Sequence, residues 1–391
     1  MTLAERLNQI PVDERFGVGI LSGTSVDGID VGLARLRGSG ETTSIDLLAF
    51  QTFPIPPAIR ARILKNCDLN AARLDELSQL NFLVGELFAD CALRFLKRHR
   101  PQRVDFIASH GQTVWHNPKR ETIGKFRVGS TLQLGNGNVI AHRTGILTIW
   151  DFRSAEFVFG KEGAPLAPHL DFVLFRHPTK NRLLLNIGGI SNITALKANA
   201  KKDDVIFFDA GPGNVLIDKA AQRFFGKPFD RDGKFAAKGR VKDDLLRLLL
   251  QEPFYQKQPP KSTGRELFTD AYFQRILRLA KGLSPNDLLA TLVALTAESV
   301  ATQARKFVLP KMPIDEVIVS GGGAKNKTLM KMLSEKLSPA RVMRQDELGD
   351  APIPAKAKEA VLFAALGNEL LSGKSASMTT PALLGAISFP P

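Results

Sequence analysis

The sequence predicts an α/β fold of two domains, with a site formed where strands run out into glycine-rich turns. Three observations carry this. The chain has 391 residues, more than one ordinary hydrophobic core accommodates. Short apolar runs of strand type alternate with longer segments of helical period. On both halves a strand breaks into glycine and polar residues, at "SGTSVDGID" (22–30), "NIGGISNIT" (186–194) and "SGGGAKN" (320–326). Such turns line ligand clefts in α/β folds. The expected division is an N-terminal lobe over 1–133 and a C-terminal lobe over 134–374, with the tail 375–391 returning to the first.

The chain opens like an antiparallel meander. "FGVGILSG" (16–23) is a buried strand ending in glycine, "DVGLARL" (30–36) is its alternating hairpin partner, and "SIDLLAFQTF" (44–53) is the third strand. A long helix follows, because Leu77, Leu80, Val84, Leu87, Phe88, Cys91 and Phe95 recur at helical spacing as one core stripe. "VDFIAS" (104–109) is a further strand that delivers "HGQT" (110–113) to its end. The second half has strands at "ILTIW" (146–150), "RLLLNIGG" (182–189), "DVIFFD" (204–209) and "DEVIVSGGG" (315–323). Helices are expected over 284–309, capped by Ser284 or Asn286, over 326–337 and over 355–371.

Composition excludes several classes. Apolar residues make up 44% and charged residues 24%, as in globular proteins. No run of about 18 uncharged apolar residues predicts a membrane span. The first residues lack the apolar core of a secretory signal, and the two cysteines, Cys67 and Cys91, form neither a disulfide framework nor a metal spacing. Together these predict a cytoplasmic protein. The net charge is +14, but the basic residues are scattered and not interleaved with aromatics, so a nucleic-acid partner is not expected. The six histidines show no ligand spacing. "GNELLSGKS" (367–375) fails as a P-loop, since its first glycine is one residue too far away and it follows a helix. "GVGILS" (17–22) fails as a dinucleotide fingerprint for want of a third glycine.

What remains is a set of turns with chemistry. In 22–30, glycines let backbone amides approach phosphate oxygens and hydroxyls add donors. Asp27 stands where a phosphate-bound Mg2+ would lie, or caps a polar turn. The triple glycine 321–323 suits close approach by a nucleotide. Asp209 closes the strand of "FFDAGPGNVLID" (207–218), with Pro212 stiffening the turn behind it and Asn214 placed to cap the next helix. A carboxylate fixed there can serve as a general base. Asp218, one turn on, reads as structural.

These turns, in this order, resemble the anhydro-N-acetylmuramic acid kinases and the related levoglucosan kinases. The resemblance spans nearly the whole chain, through "GILSGTSVDGID", "IASHGQTVWH", "RTGILTIWDFR", "GAPLAP", "LLLNIGGISNIT", "FDAGPGNVLID", "PPKSTGRELF", "VSGGGAKN" and "AKEAVLFA". It implies the two-lobed sugar-kinase/heat-shock/actin-like ATPase fold with an ATP cleft between the lobes. It also implies ATP and Mg2+ as cofactors and a small-molecule anhydrosugar as substrate, in cell-wall sugar recycling. Dimers are common in such folds, so a homodimer is an expectation without an interface segment. By position, Asp209 matches the carboxylate that activates water, Arg153 an arginine near the sugar and the reacting phosphate, and Glu359 an acidic residue at the sugar end. Gly23, Thr24, Ser25, Val26, Asp27, Gly28, Ile29 and Asp30 match the phosphate turn. Gly321, Gly322 and Gly323 match the adenosine side, and Gly188, Gly189, Gly211 and Gly213 fall in the remaining nucleotide-side turns. Asp27 and Glu359 are the expected neighbours of Mg2+. The chain departs from the family pattern at Ala210, where threonine is usual, and in "SAEFVFGKEGAP" (154–165), which is bulkier and more charged. The sugar is therefore open between anhydro-N-acetylmuramic acid and levoglucosan. A nucleotide-binding sensor without turnover is the reading from another class.

Overall fold

The computed structural model describes residues 5, 10–264, 267–349 and 353–391. Its strands are β1 (Glu14–Ser22), β2 (Ile29–Arg37), β3 (Ser44–Phe53), β4 (Phe106–Ile123), β5 (Phe126–Leu134), β6 (Thr148–Trp150), β7 (Arg182–Ile187), β8 (Ile190–Leu196), β9 (Ile206–Pro212), β10 (Glu316–Ser320), β11 (Arg341–Arg344) and β12 (Ala386–Ser388). The chain divides into two compact units, Met1–Leu174 with Pro352–Pro391, and Phe175–Ala351.

The first unit is built on the sheet β12-β6-β4-β1-β2-β3, with β5 added to β4. Strands β1, β2 and β3 form an antiparallel meander, and β4 and β6 lie parallel to β1. The second unit repeats this plan in the order β11-β10-β7-β8-β9. Strands β7, β8 and β9 are antiparallel, and β10 and β11 run parallel to β7. A three-strand meander followed by two parallel crossover strands, occurring twice, is the α/β architecture the sequence predicts. No helix among the described residues is long and apolar enough to cross a membrane.

The division differs from the expected one at both ends. The first unit runs on to Leu174, where an end at residue 133 was expected, because β6 pairs with β4 and belongs to the first sheet. The chain also returns to that unit before residue 375, because the helix Lys358–Leu371 lies against β1 and β2. Glycines make this possible. A Cβ on Gly19 would fall 1.7 Å from the Ala360 carbonyl oxygen, and one on Gly32 would fall 3.1 Å from the Ala360 Cβ. The far end of the helix is held by buried polar groups. Arg15 donates to Asn368 Oδ1 at 2.7 Å, and Glu369 accepts from the Gly40 amide at 2.7 Å and the Thr43 hydroxyl at 2.6 Å. Gly19→Ala forces the helix off the sheet, with an expected loss of about 3 kcal/mol of stability. Urea denaturation measures this, and an unchanged midpoint would mean that the helix is not seated by this contact.

Two strands run further than their sequence signals. β4 does not stop before "HGQT" but continues to Ile123, because β5 pairs with it from Gln112 onward. β9 does not end at Asp209 but continues to Pro212. Asn192 pairs with Asp209 and Ser191 with Gly211, so Ala210 is the extra residue of a β-bulge. A bulge at this position re-aims the side chains beside it.

Candidate active site

The first unit holds the hairpin between β1 and β2. The Val26 amide closes a tight turn onto the Gly23 carbonyl at 3.0 Å. Val26 adopts φ +53°, a conformation that β-branched residues rarely take. It is tolerated because the side chain is fully buried among Val18, Ile20, Ile29 and Val31. Arg60, from the helix Pro57–Asn66, braces the turn by donating to the Val26 carbonyl at 2.8 Å and the Ser25 carbonyl at 3.3 Å. Gln112, wholly buried, donates to the Gly23 carbonyl at 3.2 Å. With the core side chain anchored, Thr24, Ser25 and Asp27 are left exposed. Ser25 Oγ donates to Asp27 Oδ1 at 2.9 Å. Gly28 and Ile29 are buried, and a Cβ on Gly28 would meet Thr52 Cγ2 at 2.8 Å.

Asp30 follows, accepting a hydrogen bond from the Thr52 hydroxyl. Burial, and secondarily the nearby charge of Asp27, raise its carboxyl above the ordinary range against the pull of that hydrogen bond and of Lys356. Glu359 lies in the first turn of the helix Lys358–Leu371. Its carboxyl is also raised, first by the protein packed around it and then by the charge of Asp30, while Arg153 and Lys358 pull it down. Lys358 itself pairs with the buried Asp171. The structure thus couples Glu359 to Asp30, and Asp30 to Asp27.

Arg153 stands at the start of the helix Ser154–Val158. It donates from Nε to His110 Nε2 at 2.9 Å and from Nη1 to the Gly163 carbonyl at 2.7 Å. Burial brings its pKa down to about 10, against the charges of Glu156 and Glu359. His110, the extra residue where the register of β4 against β1 shifts between Ser109 and Gly111, is 8% exposed and stacks on Phe363 with centroids 4.5 Å apart. Burial, then the Arg153 charge, hold its pKa well below the usual value. It therefore stays neutral and accepts from the guanidinium. Ser109, His110, Thr131, Gln133, Trp150, Asp151 and Ser154 are among the residues lining a cavity of about 110 Å³ beside this pair. The unusual segment 154–165 is tied down at Glu156, which is buried and accepts from Ser377.

The second unit gathers the other glycine turns. Gly188 and Gly189 join β7 to β8. The amides of Gly213 and Asn214 donate to the carbonyls of Gly189 and Gly188, each at 2.8 Å. A Cβ on Gly213 would fall 2.4 Å from the Gly188 oxygen. Gly321 has φ +80°, and a Cβ there would meet the Ile187 oxygen at 2.6 Å, while one on Gly323 would meet Ile187 Cγ2 at 2.4 Å. The turn 188–189, the segment 213–214 that follows β9, and the turn 321–323, distant in sequence, are packed on one another, whereas Gly211, expected in a turn, lies in β9. Asn214 is not a side-chain cap, contrary to its sequence reading. Its amide donates to the Ile187 and Gly188 carbonyls instead, stitching the turns together. Ser284 caps the helix Pro285–Phe307, accepting from the Asp287 amide at 3.1 Å. From that helix Thr296 donates to the Gly213 carbonyl at 2.9 Å.

Asp209 projects from β9 beside the bulge and is half-buried. Its amide donates to the Lys261 carbonyl at 3.0 Å, and its Oδ2 accepts from the Thr263 amide at 2.8 Å. A charge-assisted bond from a backbone amide fixes a carboxylate firmly. Asp218, read as structural, has its pKa raised to about 6 by burial alone.

A family model described as anhydro-N-acetylmuramic acid kinase matches residues 15–389. The chain belongs to the anhydro-N-acetylmuramic acid kinase family. A relative named anhydro-N-acetylmuramic acid kinase from Caldanaerobacter subterraneus subsp. tengcongensis is 40% identical, over 96% of this chain and 98% of its own. One of the same name from Bacillus thuringiensis subsp. konkukian is 39% identical, over 96% and 99%. Among solved structures, component A of (R)-2-hydroxyglutaryl-CoA dehydratase from Acidaminococcus fermentans is similar at 12% identity with a TM-score of 0.44, covering 92% of this chain and 99% of that one. The fold is defined by the sheet topology repeated in the two units.

Sequence reasoning placed the family's turns and missed their supports. Arg60 and Gln112 brace the turn between β1 and β2, His110 holds Arg153, and Lys261 and Thr263 hold Asp209. "HGQT" and "PPKSTG" were visible as motifs, but only folding assigns their partners.

Proposed function

We propose that this chain is an ATP-dependent kinase that hydrolyses the 1,6-anhydro ring of anhydro-N-acetylmuramic acid and phosphorylates O6, giving N-acetylmuramate 6-phosphate. The observation that carries this reading is the family match over residues 15–389, with relatives about 40% identical across 96% of the chain. Neither of the two relatives above is named for levoglucosan.

The chemistry is economical in groups. Water forms a bond to C1 as the C1–O6 bond breaks through an oxocarbenium-like transition state. Asp209 takes the water proton. O6 leaves as an incipient alkoxide and bonds to the γ-phosphorus of ATP, the β–γ bridge breaks, and ADP departs. The proton on Asp209 is then lost to solvent. Departure of O6 from carbon also creates the nucleophile for phosphorus, so one base suffices. Arg153 offsets charge on the transferring group. Backbone amides of the 23–30 turn hold phosphate oxygens, and the glycine segments 188–189, 211–213 and 321–323 receive the rest of the nucleotide.

Mg2+ fits this donor set. Asp27, Asp30 and Glu359 are hard oxygen donors; the charge of Asp27 helps raise the Asp30 carboxyl and that of Asp30 helps raise Glu359, and a cation relieves that repulsion. No tight cluster of metal-ligating side chains occurs among the described residues, which suits an ion bound chiefly through phosphates and water. When bound, Mg2+ neutralises charge on the phosphates. Turnover in ¹⁸O-water tests the whole scheme. Mass analysis should find the heavy atom at the anomeric carbon of the 6-phosphosugar. Label on phosphate, or a phosphorylated product with its ring still closed, would overturn it.

A further inference from the structure

Lys261 is a buried cation that the reaction above does not use. It is 8% exposed. Its Nζ donates to the Phe254 carbonyl at 3.2 Å and to Gln303 Oε1, both neutral acceptors. The rings of Phe254, Phe307 and Phe208 surround it, with centroids 4.6, 5.1 and 5.9 Å from Nζ. Removing an ammonium from water is costly, and an apolar side chain would fill such a cage at less expense. The charge therefore calls for a reason.

The reason lies one bond away along the backbone. The Lys261 carbonyl accepts the Asp209 amide, and Thr263, two residues on, donates its amide to the Asp209 carboxylate. Phe208, one wall of the cage, is the residue before Asp209. The helix Pro285–Phe307 supplies Gln303 and Phe307 to the cage and, through Thr296, also holds the Gly213 turn. Seating the ammonium therefore seats segment 261–263, and that segment seats the carboxylate.

We propose that Lys261 is a positioning residue for Asp209, anchoring the segment that clamps the carboxylate and supplying a fixed positive charge behind it. This rests on the reading of Asp209 as the base. The charged groups around the ammonium are Asp209, which favours it, and Lys306 and Lys257, which oppose it. Burial is the largest influence, and together they bring its pKa to about 8. The folded protein therefore carries the cation below that pH and loses it above. Loss removes the charge attraction and the ring contacts, and loosens the clamp.

The test uses the full chain with Lys261→Met, Lys261→Arg and Asp209→Asn, singly and combined. Lys261→Met should bind ATP as the wild type does and hold KM for the anhydrosugar within about two-fold, with kcat lower by about 30-fold, as expected of a slightly misplaced catalytic group. Wild-type kcat should fall as pH rises through about 8. Lys261→Arg, whose guanidinium stays charged, should keep its activity to higher pH. Adding Lys261→Met to Asp209→Asn should cost nothing further in the residual turnover, since there is no longer a base to position. A full additional 30-fold loss in that background, or wild-type kcat in Lys261→Met, overturns the proposal. If Lys261→Met fails to fold, the pH profiles decide, and identical profiles for wild type and Lys261→Arg overturn it. Wild-type activity in Asp209→Asn instead removes the base reading itself, a separate and recognisable outcome.

Discussion

Asp209→Asn is expected to lower kcat by about 1,000-fold or more, within the range a general base contributes, while ATP binding stays unchanged. Asparagine matches the volume of aspartate and keeps an oxygen that can accept the Thr263 amide, so the clamp observed at 2.8 Å survives. The β9 backbone bond to Lys261 is untouched, because it uses the main chain. Basicity is the property removed. Phosphosugar formation and ADP release should fall together, since without attack at C1 no O6 nucleophile is released. If ADP release persisted without phosphosugar, water would be intercepting the phosphate and Asp209 would serve only the sugar. Near-normal coupled turnover would remove Asp209 from the chemistry. Asp209→Glu supplies the geometric control. It restores the base but moves the carboxylate off the Thr263 amide by one methylene, so intermediate activity is expected.

How much of this site could be read from the sequence divides along a physical line. Turns were legible because their chemistry is local. Gly23 to Asp30, the pairs around 188 and 213, and the run at 321 each combine glycine with polar residues in a few positions; the fold places Gly23 to Gly28, Gly188, Gly189, Gly213 and Gly321 outside the strands, while Ile29, Asp30 and Gly211 fall within β2 and β9. Strands and long helices were legible where the apolar period was unbroken, as in the stripe from Leu77 to Phe95, which forms part of the helix Leu74–His99. What failed were properties that depend on distant partners. The extension of β4 to Ile123 depends on β5, and the bulge at Ala210 depends on β8. The return of the helix Lys358–Leu371 to the first sheet depends on Gly19 and Gly32 meeting Ala360. Asn214 has the residue type and position of a cap, yet carbonyls from β7 and its turn outcompete the helix amides for its side chain. Lys261 lies in the quoted segment "PPKSTGRELF", but the three phenylalanines around its ammonium come from Phe208, Phe254 and Phe307, which only the fold brings together.

Arg153→Met should lower kcat by about 100- to 1,000-fold, the scale seen when one preorganised charge-stabilising donor is lost, and the reason begins with His110. A guanidinium is useful at a reacting phosphate only if its orientation is fixed before the reaction starts. Here two of its donors are already committed, Nε to His110 Nε2 and Nη1 to the Gly163 carbonyl. The remaining edge is therefore held in direction. His110 can accept that bond only as the neutral ring, and its burial and the Arg153 charge keep it so. Lysine cannot replace this arrangement, because one ammonium lacks the planar fork that meets two fixed acceptors and still presents a third donor. Arg153→Lys should thus recover little of the loss. A second consequence is electrostatic. Arg153 lowers the pKa of Glu359, which burial and Asp30 have already raised. Removing the cation pushes that pKa higher still, so the protonated fraction of Glu359 grows at any given pH and the acidic limb of kcat/KM moves to higher pH in Arg153→Met. His110→Phe, which keeps the stack on Phe363 but offers no acceptor, should reproduce part of the kcat loss without that shift. Unchanged kcat in Arg153→Met, or an acidic limb that moves to lower pH, would show that this guanidinium serves the fold rather than the phosphate.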